Sequence, residues 1–399
     1  MGMSKNALIW LLPLIFLGIP HAMAQSYWKA PLAKELPTVR FADPKVFSLV
    51  RNEVSIPITQ LPPDINQMDQ GFCYAHSAAY VSEYWRCKSS KGLCSAMFTT
   101  EKLSVLNFTT LGARLLREGG SNIRPFMTMG RDGATPVRTR ACTYENQMMT
   151  TAFGVGPYVY TLNDIGIDIL MDRYRTRVKN VLLPMLPEPF RNEVGFSLQG
   201  NYPRSLEFLR RAWYWNQETN GRYAAELANA LVSYYGLPHT QAYAQSALDS
   251  ASAEGYYEAM IYNRSCNSDF VAPRYVVMAY RNEWLANGRA DYEEMLGEDL
   301  PWALDVLKER LADGGLPMLA VCLGKCGAAK EDLHSIVLTG VRQVCQRGGK
   351  ICRNEIRAQW HWGNRFQIEA NSGWTDAATL FGDKLERLRE IAIVAPDTQ

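Results

Sequence analysis

The stretch Asn66-Gln67-Met68-Asp69-Gln70-Gly71-Phe72-Cys73-Tyr74-Ala75-His76-Ser77-Ala78 reads as a loop that delivers a cysteine onto the first turn of a helix. Beyond it, apolar and aromatic side chains recur at helical spacing, at Ala75, Ala78, Ala79, Val81, Tyr84 and Trp85. The first turn of a helix has N–H groups without an intrahelical acceptor and carries the positive end of the peptide dipoles. Both favour a thiolate over a thiol at Cys73, and the thiolate is the nucleophilic form.

Ahead of this stretch, residues 1–24 hold Lys5, an apolar run from Ala7 to Pro20 and Ala22-Met23-Ala24, the layout of a cleavable export signal. Residues 25–60 are proline-rich, with Pro31, Pro37, Pro44 and Pro57, and lack a helical period, so they read as an extended N-terminal arm. No later apolar run is long enough for a membrane span. The product is therefore expected in a periplasmic or extracellular space. The 42 basic and 40 acidic residues leave a net charge of +2, which gives no electrostatic case for nucleic acid or an anionic membrane as partner. The basic run Arg173-Tyr174-Arg175-Thr176-Arg177 reads as a solvated helix face.

The nine cysteines are Cys73, Cys87, Cys94, Cys142, Cys266, Cys322, Cys326, Cys345 and Cys352. In an exported chain an odd count with one thiol kept for chemistry leaves an even set for disulfides. Cys87 with Cys94 and Cys345 with Cys352 are the obvious local pairs, although spacing does not fix the connectivity. A four-thiolate zinc site from Cys322, Cys326, Cys345 and Cys352 is the rival arrangement. The two-residue gaps usual in such sites are missing and export disfavours persistent thiols, so the expectation is no metal and no cofactor.

At Gln67 and Cys73-Tyr74-Ala75-His76-Ser77 the chain resembles the papain-like cysteine peptidases, in which the nucleophilic cysteine precedes Trp or Tyr and a glutamine six residues upstream helps bind the oxyanion. The resemblance continues at Glu118-Gly119-Gly120-Ser121-Asn122-Ile123. In that family a glycine pair lets a peptide backbone approach closely. Gly119, Gly120, Ser121 and Asn122 are accordingly expected in the substrate-binding wall. The family's usual disulfide positions are Gln70 and Arg117 here, so both halves of that bridge are absent together. Fewer than fifty residues separate the export signal from Cys73, which argues against a long helical prosegment.

Residues 155–300 go beyond what the family needs and read as a mostly helical insertion, with apolar residues at helical spacing over Leu206 to Trp215 and Ala224 to Tyr235. Its aromatics Trp213, Tyr214, Trp215, Tyr234, Tyr235, Tyr256 and Tyr257 are read mainly as core. A protein partner could also engage this block. The family pattern resumes with a helix over Trp302 to Leu311, a buried strand Leu316 to Leu323 and a strand Leu333 to Gly340. Ile356 to Trp362 and Arg365 to Ala370 alternate about Gly363-Asn364, a hairpin signal.

The resemblance then assigns the chemistry. His334, at the start of a strand, is the base, and Asn371, in Asn371-Ser372-Gly373-Trp374, orients it. Ser335 and Trp374 are expected to join the substrate-binding wall, with Trp374 displaced one residue by Gly373. Both partners lie farther from Cys73 than the roughly 130–150 residues usual in the family, and the insertion accounts for most of the excess. Among the other histidines, His21 falls in the signal, His239 in the insertion and His361 on a hairpin arm. His76 is the one real rival as base, but it projects along the side of the Cys73 helix and is read as a core or groove residue.

The expected architecture is an α+β papain-like fold: a helical half at 61–154, the insertion at 155–300 and an antiparallel-sheet half at 301–399, with a cleft between the halves. The expected activity is hydrolysis of a protein or peptide substrate through a thioester. The alternatives are a cysteine amidase or transferase acting on cell-wall or other amides, and an inactive protein-binding module of the same fold.

Overall fold

The computed structural model describes residues 36–397 apart from 37, 65, 68–70, 91–93, 97–100, 114–119, 132–135, 155–166, 194–204, 267–268, 282–289, 329–330, 364–365 and 368–370. The expected export signal and Gly119 therefore lie outside the described residues. Among the described residues no helix is long and apolar enough to cross a membrane.

The longest helix, α1 (Cys73–Ser90), begins at the cysteine. The Phe72 carbonyl caps it by accepting from Ala75 N–H at 2.9 Å and His76 N–H at 3.0 Å. Every residue from Tyr74 to Tyr84 is buried, because the helix is enclosed on several sides rather than along one stripe. Around it stand α2 (Val105–Ala113), α3 (Arg124–Arg131) and α4 (Glu145–Phe153). The Glu145 carboxylate accepts from Ser104 Oγ at 2.6 Å and Leu106 N–H at 3.2 Å and pairs with Arg140 at 3.2 Å. These bonds satisfy a buried acid where the helices converge.

Opposite the helices lies a sheet of eight strands: β1 (Leu49–Ser55), β4 (Tyr275–Arg281), β5 (Tyr292–Met295), β6 (Met318–Gly324), β7 (Asp332–Cys345), β8 (Cys352–Gln359), β9 (Trp374–Asp376) and β10 (Leu388–Pro396). Two further strands, β2 (Pro136–Arg138) and β3 (Asp269–Val271), pair separately. The main sheet runs β5-β4-β10-β6-β7-β8-β9. All its pairings are antiparallel except β4 with β5. One edge of the long strand β7 is shared: β6 pairs with its first half and β1 with Gly340 to Cys345. The chain is thus a mixed α/β protein with a mostly antiparallel sheet.

One expectation is refined and two need correcting. The arm at 25–60 contributes β1, which completes the edge of β7. The described residues of the block at 155–300 are mostly helical over 167–193 and 207–261, but its last part forms β4 and β5, and β4 pairs with β10. Alternation over Tyr275 to Arg281 matches a half-buried strand. The second hairpin arm is also missing, because Phe366 and Gln367 are helical. Positive φ at His361 (58°) and Gly363 (82°) turns the chain after β8. Phe366 then packs on Trp360 and Trp362, with ring centroids 5.3 and 4.8 Å away.

The helical block leaves and rejoins beside α4. Tyr144 N–H donates to the Ile261 carbonyl at 2.8 Å, and the Cys142–Cys266 disulfide closes the same point. Trp215, Tyr234, Tyr235, Tyr256 and Tyr257 are buried. Their area is spent on packing, and Tyr214 stays exposed. Eight cysteines form four disulfides, Cys87–Cys94, Cys142–Cys266, Cys322–Cys326 and Cys345–Cys352. The proposed zinc quartet is two of these bridges. Cys73 is the cysteine outside them, a pattern that fits an oxidising compartment.

Candidate active site

Cys73 opens α1 and is partly exposed. One turn further on, Ser77 projects from the same side of the helix. Ser335 Oγ, which follows His334 on β7, lies 2.7 Å from Ser77 Oγ. This contact seats the first turns of α1, which begins at Cys73, against the start of β7, which carries His334.

His334 is 5 % exposed. Its Nε2 is 2.9 Å from the Trp360 carbonyl oxygen. A carbonyl can only accept, so Nε2 carries the proton and Nδ1 is the basic nitrogen of the neutral ring. The Trp362 indole stacks on the imidazole at 4.0 Å and 17°. Burial lowers the His334 pKa to about 3; the Trp360 hydrogen bond opposes this, and His361 adds to it. Removing the ring from water penalises its charged form, so His334 is neutral at pH 7.

The role expected of the Asn371 side chain is filled at Nε2 by the main chain of Trp360. Asn371 and Ser372 have φ of 50° and 57° and, with Gly373 at 86°, form a left-handed turn. That turn abuts Ala358, whose carbonyl oxygen would lie 2.7 Å from a Cβ at Gly373. Trp374 likewise lies away from His334. It pairs with Arg357 in β8, and its ring faces the guanidiniums of Arg342 at 4.0 Å and Arg357 at 5.5 Å. A Cβ at Gly340 would come 3.0 Å from its ring, so Trp374 sits six positions along β7 from His334.

Gln67 is buried, and its N–H donates to the His361 carbonyl at 2.7 Å. Its side-chain Oε1 makes no hydrogen bond among the described residues. Gly120 lies against Tyr74, the residue after Cys73. A Cβ there would come 2.7 Å from the Tyr74 ring, which explains the need for glycine. Ser121 Oγ accepts from Ile123 N–H at 3.4 Å. Asn122 and Ser335, expected in a substrate wall, are instead 2 % and 4 % exposed. Asn122 Oδ1 is 2.5 Å from Ser335 Oγ, and the Asn122 side chain also bonds the buried carboxyl of Glu390. They join the helices to the sheet beneath the site.

The sequence reading missed Asp64, Trp360, His361 and Trp362. His361 Nδ1 is 2.8 Å from Asp64 Oδ1 and its Nε2 is 3.2 Å from Ser77 Oγ. Lys102 Nζ donates to the Pro63 carbonyl at 2.5 Å, fixing the loop just before Asp64. Burial, partly opposed by Glu83, lowers the Lys102 pKa to about 8. His76 is buried without a hydrogen bond to either ring nitrogen among the described residues, and burial holds its pKa well below the usual value. No group of histidine, cysteine or carboxylate side chains among the described residues is arranged to hold a metal ion. No family model matches the sequence, and neither does any curated protein.

Proposed function

We propose that this chain is a papain-like cysteine peptidase that hydrolyses peptide bonds through a thioester acyl-enzyme. The observations that support it best are a cysteine outside the four disulfides at the head of the buried helix α1 and a buried histidine near the start of β7, with Ser335, the next residue on that strand, touching Ser77 one turn along α1. Commitment of Nε2 to the Trp360 carbonyl leaves the basic Nδ1 for the thiol proton.

In the proposed reaction Cys73 Sγ attacks the scissile carbonyl as its proton passes to His334 Nδ1. The Gln67 amide and the Cys73 N–H stabilise the oxyanion. Collapse expels the amine, which takes the proton from His334, and leaves the acyl group on sulfur. Water then attacks the thioester with His334 again accepting the proton, releasing the acid and the thiol. Burial opposes the imidazolium, so the His334 ring rests neutral and is ready to accept a proton. The same thiol chemistry would serve a cysteine amidase or transferase acting on cell-wall amides.

Labelling of folded protein with an epoxide probe, located by peptide mass spectrometry, tests the reading, with casein and peptidoglycan as competing substrates. An adduct on Cys73 with casein cleavage is the expected result, and peptidoglycan cleavage alone would favour the amidase. An unreactive Cys73 would leave the non-catalytic binding module.

A further inference from the structure

The Asp64–His361–Ser77 arrangement has the polar types of a serine hydrolase triad, but Ser77 has no exposure and His361 is 1 % exposed, so substrate cannot reach its hydroxyl. Its connections point elsewhere. Through Nδ1, His361 holds Asp64 in the loop that carries Gln67, and through Nε2 it holds Ser77, one turn after Cys73 on α1. Its carbonyl accepts from Gln67 N–H at 2.7 Å. On either side in sequence, Trp360 supplies the oxygen that holds His334 Nε2, and Trp362 supplies the ring stacked on His334.

We propose that His361 is a positioning residue, a clamp that sets the nucleophile helix, the Gln67 loop and the His334 base in register with one another. The assignment rests on the peptidase reading for its consequence in catalysis, but the clamp itself is a matter of geometry. A left-handed backbone at φ 58° is unfavourable in a non-glycine residue and persists only where its surroundings hold it. Two side-chain bonds and one main-chain bond to separate elements hold it there. The Trp360 carbonyl and the Trp362 ring aim at one imidazole only while the residue between them keeps that conformation. The titratable and charged groups facing His361 are Asp64 from the loop, His76 and Tyr80 from α1 and His334 from β7.

The experiment compares wild type with Asp64→Asn, His361→Asn and Ser77→Ala. Asparagine tolerates the left-handed backbone and can reach Asp64, but it loses Ser77, whereas Asp64→Asn keeps the shape and removes the charge. Two readouts are taken on the full mature chain: the rate of Cys73 alkylation by iodoacetamide against pH, and the His334 tautomer from imidazole nitrogen shifts. Wild type should show a single neutral tautomer protonated at Nε2. In His361→Asn and Asp64→Asn the tautomer should become mixed, and alkylation at pH 7 should fall roughly tenfold, the factor set by about 1.4 kcal/mol, with its pH midpoint moved. Ser77→Ala should act in the same direction. Variants that lower only thermal stability, with wild-type tautomer and alkylation profile, would make the clamp merely structural and overturn the proposal. If wild-type Cys73 does not alkylate at all, the peptidase reading fails, and the tautomer measurement still decides the clamp. Should His361→Asn fail to fold, Asp64→Asn carries the test.

Discussion

His334 directs Nε2 at the Trp360 carbonyl oxygen, 2.9 Å away, so a main-chain acceptor sets the tautomer of the proposed base. A side-chain substitution cannot delete a carbonyl. Asn371→Ala should therefore keep peptidase activity within about threefold of wild type, under 1 kcal/mol of transition-state stabilisation. Cys73→Ala and His334→Ala should each abolish turnover with circular dichroism unchanged, because they act as a unit. Gln67→Ala should cost on the order of 10²–10³ in kcat, as loss of one oxyanion donor does. An inactive but folded Asn371→Ala would return the orienting role to that residue.

The two tryptophans separate in the same assay. Trp362 stacks on the imidazole at 4.0 Å, whereas Trp374 lies between Arg342 and Arg357. Trp362→Ala should lower kcat. Trp374→Ala should leave kcat alone and cost about 3–5 kcal/mol of stability, as loss of a buried tryptophan does. Urea denaturation run beside the kinetics distinguishes the outcomes, and a drop in kcat for Trp374→Ala at full stability would place it in the site.

Buried histidines make the fold acid-sensitive. Burial lowers the His334 pKa from the ordinary imidazole value of 6.5 to about 3, and lowers that of His76 in the same direction. Between these values the unfolded chain binds more protons than the folded one, so stability is full above pH 6.5 and falls as pH drops towards 3. For His334 the loss reaches about 5 kcal/mol at most, by the 1.36 kcal/mol per pH unit of linkage. Urea midpoints at pH 7, 5 and 4 should decline in that order. A flat profile would show that these rings are hydrated in solution.

His76→Leu tests the rival base. Both His76 ring nitrogens are buried without a hydrogen bond among the described residues, and replacing an unpaired buried polar group by an apolar one is neutral or stabilising, by about 1–3 kcal/mol. The variant should be at least as stable as wild type and remain active. A folded but inactive His76→Leu would transfer the base to His76.

The cysteines predict one alkylatable thiol per native chain, at Cys73, by mass spectrometry without reductant. The four bridges should not contribute equally. Cys142–Cys266 spans a separation of 124 residues and Cys322–Cys326 one of 4. The chain-entropy relation gives about 5 and about 2 kcal/mol for loops of those lengths. Replacing the first pair by alanine should lower the urea midpoint more than replacing the second.

By itself the sequence carried what depends on local pattern. Helical periodicity after Cys73 gave α1, whose start at the cysteine the structure repeats. Apolar runs gave β6 and β7. The odd cysteine count singled out Cys73, and the short spacings gave two of the four disulfides. Cys142–Cys266 was not legible, because a bridge across the helical block depends on where that block rejoins α4. Residues 275–295 carried strand patterning inside a segment read as helical, but only the pairing of β4 with β10 showed which sheet they join. The surroundings of His334 were decided by register. Cys345 pairs with Cys352, and counting back along the two strands brings the residues after Gln359 opposite the start of β7. A motif such as Asn371-Ser372 fixes its own backbone but not the strand position it will face, since a bulge or a left-handed residue such as His361 re-aims everything beyond it. Hydrogen bonds from Asp64, Ser77 and Gln67, distant in sequence, hold that turn, and so the partner of His334 emerged only from the folded chain.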